Sequence, residues 1–109
     1  MTEVSFSDFE KLEMRVGKVL AAEAVTGSKK LMKLQVDFGK EKRQAVAGML
    51  EHYKPDALVG KKFIFVTNLK PVKLMGIDSN CMILAAEDEK GSIVLLQPEK
   101  EIEAGSRIR

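Results

Sequence analysis

The chain is poor in the residues that carry metal binding, redox chemistry and catalysis. Its 109 residues include one Cys, one His, one Tyr and no Trp. A lone Cys81 excludes an intrachain disulfide, and a single His cannot complete the Cys/His cluster of a zinc site. No nucleophile stands at a motif spacing from a base. An enzyme is therefore the least favoured class, and we expect no cofactor and no metal.

Long apolar runs are also lacking. The longest, CMILAA at positions 81–86, is far shorter than the roughly 18 residues that a membrane helix needs. The N-terminal stretch MTEVSFSDFE begins acidic, whereas a secretory signal begins basic and then turns apolar. We therefore expect a soluble, cytoplasmic protein with no membrane partner, folded as a single domain over residues 1–109.

What the sequence does have is an uneven distribution of charge. Residues 28–76 contain eleven Lys and Arg against four Asp and Glu, although the net charge of the whole chain is only +2. The rest of the chain therefore carries an acidic surplus. One basic face on an acidic body would attract a polyanion such as a nucleic acid. The alternative is a set of solvated strand edges, where Lys discourages edge pairing.

Hydrophobic periodicity predicts a series of short strands. Alternation of apolar residues is strict from Met32 to Phe38 and predicts a half-buried strand, paired in a hairpin with the next segment, RQAVAG. In the preceding stretch, LEMRVGKVLAA, the alternation slips by one residue at Gly17, which predicts a bulge there. A capping box of Ser7 and Glu10 predicts a helical turn before that strand.

The remaining elements suggest a small barrel. The stretch 49–62 has helical spacing, interrupted by Pro55 and ended by Gly60, and the runs KKFIFVT, CMILAA and SIVLLQ predict three further strands. This order predicts an all-β fold with a short helix: an OB-fold, which is a five-stranded Greek-key barrel, plus a C-terminal extension. An SH3-like barrel is the alternative, but it has no helix at that position.

One connection between predicted strands is unusually long. The segment NLKPVKLMGIDSN, positions 68–80, has thirteen residues where about two to six are usual. OB-folds hold oligonucleotides with the loop between strands four and five, together with the face of strands two and three. The length of this segment therefore indicates either a slack connection or contact with a ligand.

Several strings in the chain resemble the tRNA-binding domain family: RVGKV, KLMKLQVDFG, RQAVAG, NLKP, KLMG and the S-x-x-M of SNCM. That family includes the C-terminal domain or separate beta subunit of methionyl-tRNA synthetases and free-standing tRNA-binding proteins. The resemblance implies a non-catalytic OB-fold that binds tRNA by shape, often as a homodimer, with methionyl-tRNA synthetase as a candidate partner. By motif position it implies RNA contacts at Lys30, Lys33, Arg43, Asn68, Lys70, Lys73 and Ser79.

The chain departs from the family pattern at two of the positions that matter. Lys29 replaces an acidic residue, and Cys81 replaces a glycine, which argues against a left-handed turn there. We expect Cys81 to be a small buried hydrophobic residue and His52 to be structural. We expect Leu74 and Met75 to clasp the long connection rather than to touch RNA.

Two other functions remain open for this chain. A secretion-type peptide-binding chaperone shares the same fold, and the protein could instead be a dimerisation module whose affinity for RNA is incidental. The apolar strand SIVLLQP and the tail IEAGSRIR favour a dimer in any of these cases.

Overall fold

The strand with the strictest alternation lies within the barrel sheet, with a neighbouring strand on each side. The computed structural model describes residues 1–109, and in it Met32, Leu34 and Val36 are fully buried, whereas the residues between them are half-buried. The elements in chain order are helix α1 (Phe6–Glu10), strands β1 (Met14–Ala24), β2 (Met32–Asp37) and β3 (Lys42–Ala47), a 3-10 helix (Pro55–Ala57), and strands β4 (Lys62–Val66), β5 (Val72–Leu74), β6 (Ile77–Ser79), β7 (Met82–Ile83), β8 (Ala85–Glu87) and β9 (Ile93–Leu95).

Five of these strands form one antiparallel sheet in the order β3-β2-β1-β4-β7. The sheet nearly closes on itself, because the Asn80 amide donates to the Gln44 carbonyl at 2.8 Å and so joins the chain before β7 to β3. Thirteen buried residues fill the interior, where the rings of Phe38 and Phe65 meet edge to face at 5.4 Å. The predicted OB-fold and the predicted hairpin of β2 and β3 are confirmed.

The bend of β1 lies three residues beyond the predicted one. The pairing of β1 with β2 shifts register between Val19 and Ala21, so Leu20 is the extra residue, and the prediction of a bulge at Gly17 is wrong. Gly17 pairs regularly with Phe63. A Cβ at Gly17 would lie within 3 Å of the side chains that face it from β2 and β4, so the glycine allows a close approach between strands.

Both predicted helical segments need correction. The N-cap of α1 is Ser5, whose hydroxyl accepts from the Asp8 amide at 3.1 Å, and Ser7 already lies inside the helix. Pro55 begins the 3-10 helix instead of interrupting a longer one, because a missing amide proton costs nothing in the first turn. None of the helices is long and apolar enough to cross a membrane.

The run CMILAA, predicted as one strand, contributes to two sheets. Its first part, β7, pairs with β4, whereas Ala85–Glu87 pairs with β9 in a separate two-stranded sheet. The Leu84 amide donates to the Ile64 carbonyl, and the Leu84 carbonyl accepts from Leu96. The chain therefore changes partners at Leu84.

The C-terminal extension returns across the barrel. The Gly105 amide donates to the Val16 carbonyl at 2.7 Å, and the Val16 amide donates to Ser106 at 2.9 Å. The ammonium group of Lys62 contacts the Glu101 carboxylate and donates to the Ile102 carbonyl at 2.6 Å. Lys62 therefore fixes this extension to the barrel.

Candidate nucleic-acid interface

The long connection between β4 and β7 is an ordered hairpin. Strands β5 and β6 pair in register, and Met75 and Gly76 form the turn between them with φ of 51° and 77°. Two successive residues with positive φ are typical of a type I′ turn, whose twist matches that of the strands. The alternation from Val72 to Ser79 around a glycine is a sequence signal for this hairpin, although we expected a loop here.

The two faces of the hairpin differ in character. Leu74 and Ile77 are directly paired and half-buried, whereas Lys73 and Asp78, also paired, are exposed with Nζ and Oδ1 3.8 Å apart. The apolar pair forms the half-buried face of the hairpin. Met75, in contrast, is 59% exposed at the tip.

Arg43 joins both ends of the hairpin to β3. Its Nη1 donates to the carbonyl of Thr67 at 2.7 Å and to that of Asn80 at 3.1 Å, and its Nε donates to the Glu41 carboxylate at 3.2 Å. These two carbonyls belong to the residues just before and at the end of the 68–80 connection. The guanidinium group therefore sets the distance between the ends of the hairpin.

Asn68 and Ser79 are also engaged within the protein. The side chain of Asn68 accepts from the Glu13 amide at 2.8 Å and donates to the Lys11 carbonyl at 2.6 Å. The buried Ser79 hydroxyl accepts from the Val46 amide at 3.0 Å and donates to the Cys81 carbonyl at 3.2 Å. We call Arg43, Asn68 and Ser79 the hairpin root, because Asn68 and Ser79 each fix one end of the hairpin and Arg43 holds both.

Three of the four predicted lysine contacts are exposed, and Lys33 is half-buried. Lys30 and Lys70 are exposed and form no ion pair, whereas Lys33 lies 2.7 Å from Glu23 and Lys73 faces Asp78 across the hairpin. Lys33 shares one surface depression with Met75 at the hairpin tip, so the end of β2 and the hairpin adjoin. We call Lys30, Lys33, Lys70 and Lys73 the lysine face, after the basic face that the charge distribution of the sequence predicts.

Two ionisable groups near the root have shifted pKa values. Hydrogen bonds from Arg15 and then from Thr67 lower the pKa of Glu13, which stays ionised. Burial raises the pKa of Cys81 to about 12, so its thiol stays protonated. Cys81 is 6% exposed and has no positive φ, as the substitution of a glycine predicted. No three His, Cys, Asp or Glu residues are grouped to hold a metal ion.

Aromatic side chains are absent from the lysine face and the hairpin. Phe38, Phe63 and Phe65 are buried in the barrel, and the Tyr53 hydroxyl accepts from the Leu95 amide at 3.0 Å. The remaining two, Phe6 and Phe9, stack on each other at 6.3 Å on helix α1, where Phe6 is 72% exposed. An RNA bound at the lysine face therefore finds no aromatic platform there.

Comparison with known proteins identifies relatives over the whole chain. A family model described as "Putative tRNA binding domain" matches residues 14–107. A methionine–tRNA ligase of Methanocaldococcus jannaschii is 53% identical over 109 residues, which is all of this chain and 17% of the ligase. One from Methanosarcina mazei is 54% identical over 107 residues, or 97% of this chain and 15% of the ligase. The chain thus spans about a sixth of these ligases.

Solved structures of similar size share the fold. A "MetRS related protein" from Pyrococcus horikoshii superposes with a TM-score of 0.96 at 43% identity, and the match covers all of both chains. The chaperone CsaA from Bacillus anthracis superposes with a TM-score of 0.90 at 32% identity, covering 99% of this chain and all of the chaperone.

Proposed function

Since the chain belongs to the tRNA-binding domain family, we propose that residues 1–109 form one domain that binds folded tRNA, without catalysis, through the lysine face. The observation that carries this proposal is the fixed hairpin between β4 and β7, the fourth and fifth barrel strands, which lies where OB-folds hold oligonucleotides. Ammonium groups supply point charges for phosphate oxygens. Folded RNA is read largely through its phosphates and 2′-hydroxyl groups.

The hairpin root supports this proposal by preorganisation. Arg43, Asn68 and Ser79 hold the hairpin in the free protein, so little ordering entropy is lost when RNA binds. Their polar side-chain atoms already have partners within the protein. We therefore assign Lys30, Lys33, Lys70 and Lys73 to phosphate contact, and the three root residues to positioning with RNA contact as a secondary role.

The experiment is a titration with bulk tRNA at several salt concentrations. The logarithm of the affinity should fall linearly with the logarithm of salt concentration, by roughly 0.7 to 0.9 per phosphate neutralised, so that about five engaged cations give a slope near −4. Folded tRNA should outcompete unfolded RNA of equal length, because both carry the same charge and only one presents the folded surface. Equal affinity for both RNAs with the same slope would refute shape recognition.

We further propose that two copies associate through an apolar surface away from the lysine face. Val16 on β1 and Val66 on β4 are buried outside the main core cluster, and the exposed Met82 of β7 pairs with Val66. Val94 of β9 and Leu96, which directly follows β9, are also exposed, in agreement with the dimer expected from SIVLLQP. Light scattering at micromolar concentration should give twice the 12.1 kDa mass of the chain, and a monomer would refute the proposal.

In the cell, we propose that the domain acts in the cytoplasm together with methionyl-tRNA synthetase. The ligase relatives contain a similar domain, and a MetRS-related protein of this length exists in Pyrococcus. A domain that binds both tRNA and the synthetase raises the local concentration of tRNA near the enzyme. Adding the protein to a synthetase that lacks such a domain should lower the KM for tRNA, and the Lys70→Ala/Lys73→Ala variant should not. An unchanged KM would contradict this role.

The likeness to CsaA and the exposed apolar side chains favour a second candidate, a peptide-binding chaperone. Suppression of the aggregation of a denatured protein would support it. If tRNA then fails to compete with the denatured protein, the two activities use different surfaces.

A further inference from the structure

The turn at the hairpin tip contains the one non-glycine residue with positive φ, Met75. Positive φ is disfavoured for residues with a Cβ and is best tolerated by Gly, Asn and Asp. Type I′ turns accordingly prefer Asn-Gly or Gly-Gly. A methionine at this position destabilises the turn relative to those residues, and it leaves a long apolar side chain mostly exposed.

The Met75 side chain borders a groove between the hairpin and the outer face of β1 and β2. Two depressions of about 190 and 140 Å³ adjoin there, and Glu23 and Lys33 line both of them. The first is closed by Met75 and Ile77 on the hairpin side, and the second is floored by Ala21 and Ala22. Each is several times larger than the roughly 30 Å³ that a water molecule occupies in the liquid.

The groove contains two oxygen atoms without a protein partner, beside the remaining N–H donors of Lys33 and Gln35. Lys33 Nζ pairs with Oε1 of Glu23 at 2.7 Å, which leaves Oε2 of that carboxylate without a protein partner. Gln35 donates from Nε2 to Gln44 at 2.8 Å, which leaves its Oε1 free as an acceptor. A flat molecule with an amino group on its edge and apolar faces matches small apolar walls with such acceptors.

From these observations we propose that Met75 and the groove of Ala21, Glu23, Lys33 and Gln35 bind one unstacked nucleobase of the RNA. The base lies against the Met75 thioether, and its exocyclic amino group donates to Glu23 or Gln35. Adenine, cytosine and guanine carry such a group and uracil does not. Methionine sulfur makes favourable contacts with aromatic rings. The contact between Met75 and the base therefore takes the place of the aromatic stacking that this face lacks. This inference rests on the proposed binding of tRNA. It assigns Met75 to RNA contact, whereas the sequence predicts that Met75 clasps the long connection.

Three variants test the role of Met75. Met75→Asn favours the turn but removes the apolar side chain, so tRNA affinity should fall by about two- to tenfold. The slope against salt should not change, because no phosphate contact is lost. Met75→Leu keeps an apolar side chain and should bind within about twofold of the parent. Val59→Asn, a matched change of an exposed apolar residue outside the groove, should have no effect.

A second measurement identifies the base itself. In tRNA transcripts that carry one abasic nucleotide at each unpaired position in turn, one position should weaken binding to the parent protein by two- to tenfold and leave binding to Met75→Asn unchanged. Such coupling shows that side chain and base interact. At that position uracil should bind more weakly than cytosine.

The outcomes separate the two proposals. If the parent protein binds tRNA with the expected slope but no abasic position is coupled to Met75, the base site is refuted and tRNA binding stands. If Met75→Asn weakens binding to a fully paired RNA duplex as much as to tRNA, Met75 acts through hairpin shape and the base site is again refuted. If the parent protein does not bind tRNA at all, both proposals fail.

Discussion

The hairpin root and the lysine face contain the same kind of residue, polar or cationic side chains from shared sequence motifs, yet their surroundings differ. At the root, the polar side-chain atoms of Arg43, Asn68 and Ser79 form hydrogen bonds with backbone groups of the protein. On the lysine face, Lys30 and Lys70 have no partner. One set thus fixes the shape of the hairpin. In the other set Lys33 and Lys73 pair only with the surface carboxylates of Glu23 and Asp78, so all four ammonium groups remain accessible to a polyanion. Substitutions that affect shape and charge separately test this distinction.

The largest effect is expected from Arg43→Ala. The carbonyls of Thr67 and Asn80 lose a charged donor, so the free energy of unfolding should fall by about 3 kcal/mol. The affinity for tRNA should fall as well, because the freed hairpin must then be ordered on binding. Urea denaturation and tRNA titration measure the two effects. Arg109→Ala, at an exposed terminal arginine, is the control and should leave the stability unchanged. Unchanged stability of Arg43→Ala would refute the positioning role.

The next effect is expected from replacing Lys70 and Lys73 by Ala together. The slope of log affinity against log salt should decrease by up to about two units if each lysine meets one phosphate. The urea midpoint should not change, because both side chains are exposed. The control pair, Lys90 and Lys100, lies in the acidic remainder of the chain and should not affect binding. Equal losses from the two double variants would exclude a focused site.

A smaller effect is expected from Ser79→Ala. This change leaves the Val46 amide buried without its acceptor, so the free energy of unfolding should fall by about 1 to 3 kcal/mol. The salt slope for tRNA should stay the same, since no cation is removed. The exposed Ser92→Ala variant serves as the control for stability. A reduced slope in Ser79→Ala would contradict the assignment of Ser79 to positioning, because it would mean that loss of the hydroxyl also removes phosphate contacts.

The smallest effect concerns pH and Cys81. Its pKa is raised to about 12 in the folded protein, against about 8.5 in the unfolded chain. Between these values the unfolded state releases the proton first, so the contribution of Cys81 to stability is complete below about pH 8.5 and decreases as the pH rises. The difference in unfolding free energy between the parent and Cys81→Ala should be constant from pH 6 to 8 and should shrink towards pH 10. A constant difference up to pH 10 would contradict the shifted pKa.

Sequence patterns predicted the barrel because its strongest signals are local. The alternation from Met32 to Phe38 follows directly from the two-residue repeat of a strand whose one face is buried. The bulge was misplaced because Gly17, which suggested it, serves close packing, whereas the extra residue, Leu20, has no local signal.

The hairpin root could not be predicted, because its partners are backbone groups far along the chain. Arg43 bonds carbonyls 24 and 37 residues away, and any residue type supplies a carbonyl. The motifs indicated that Arg43, Asn68 and Ser79 matter, but not that they act within the protein. The exposure of lysines is easier to predict, since a Lys in a polar segment is seldom buried.

The most direct test of the distinction between root and lysine face is the tRNA affinity of Arg43→Lys. Lysine keeps the charge and can contact a phosphate, but it lacks the fork that reaches two carbonyls at once. We predict that Arg43→Lys binds tRNA nearly as weakly as Arg43→Ala at the same salt concentration, because the hairpin is released in both. Affinity restored to that of the parent protein would show that Arg43 contacts RNA as a charge, and would contradict its role in positioning the hairpin.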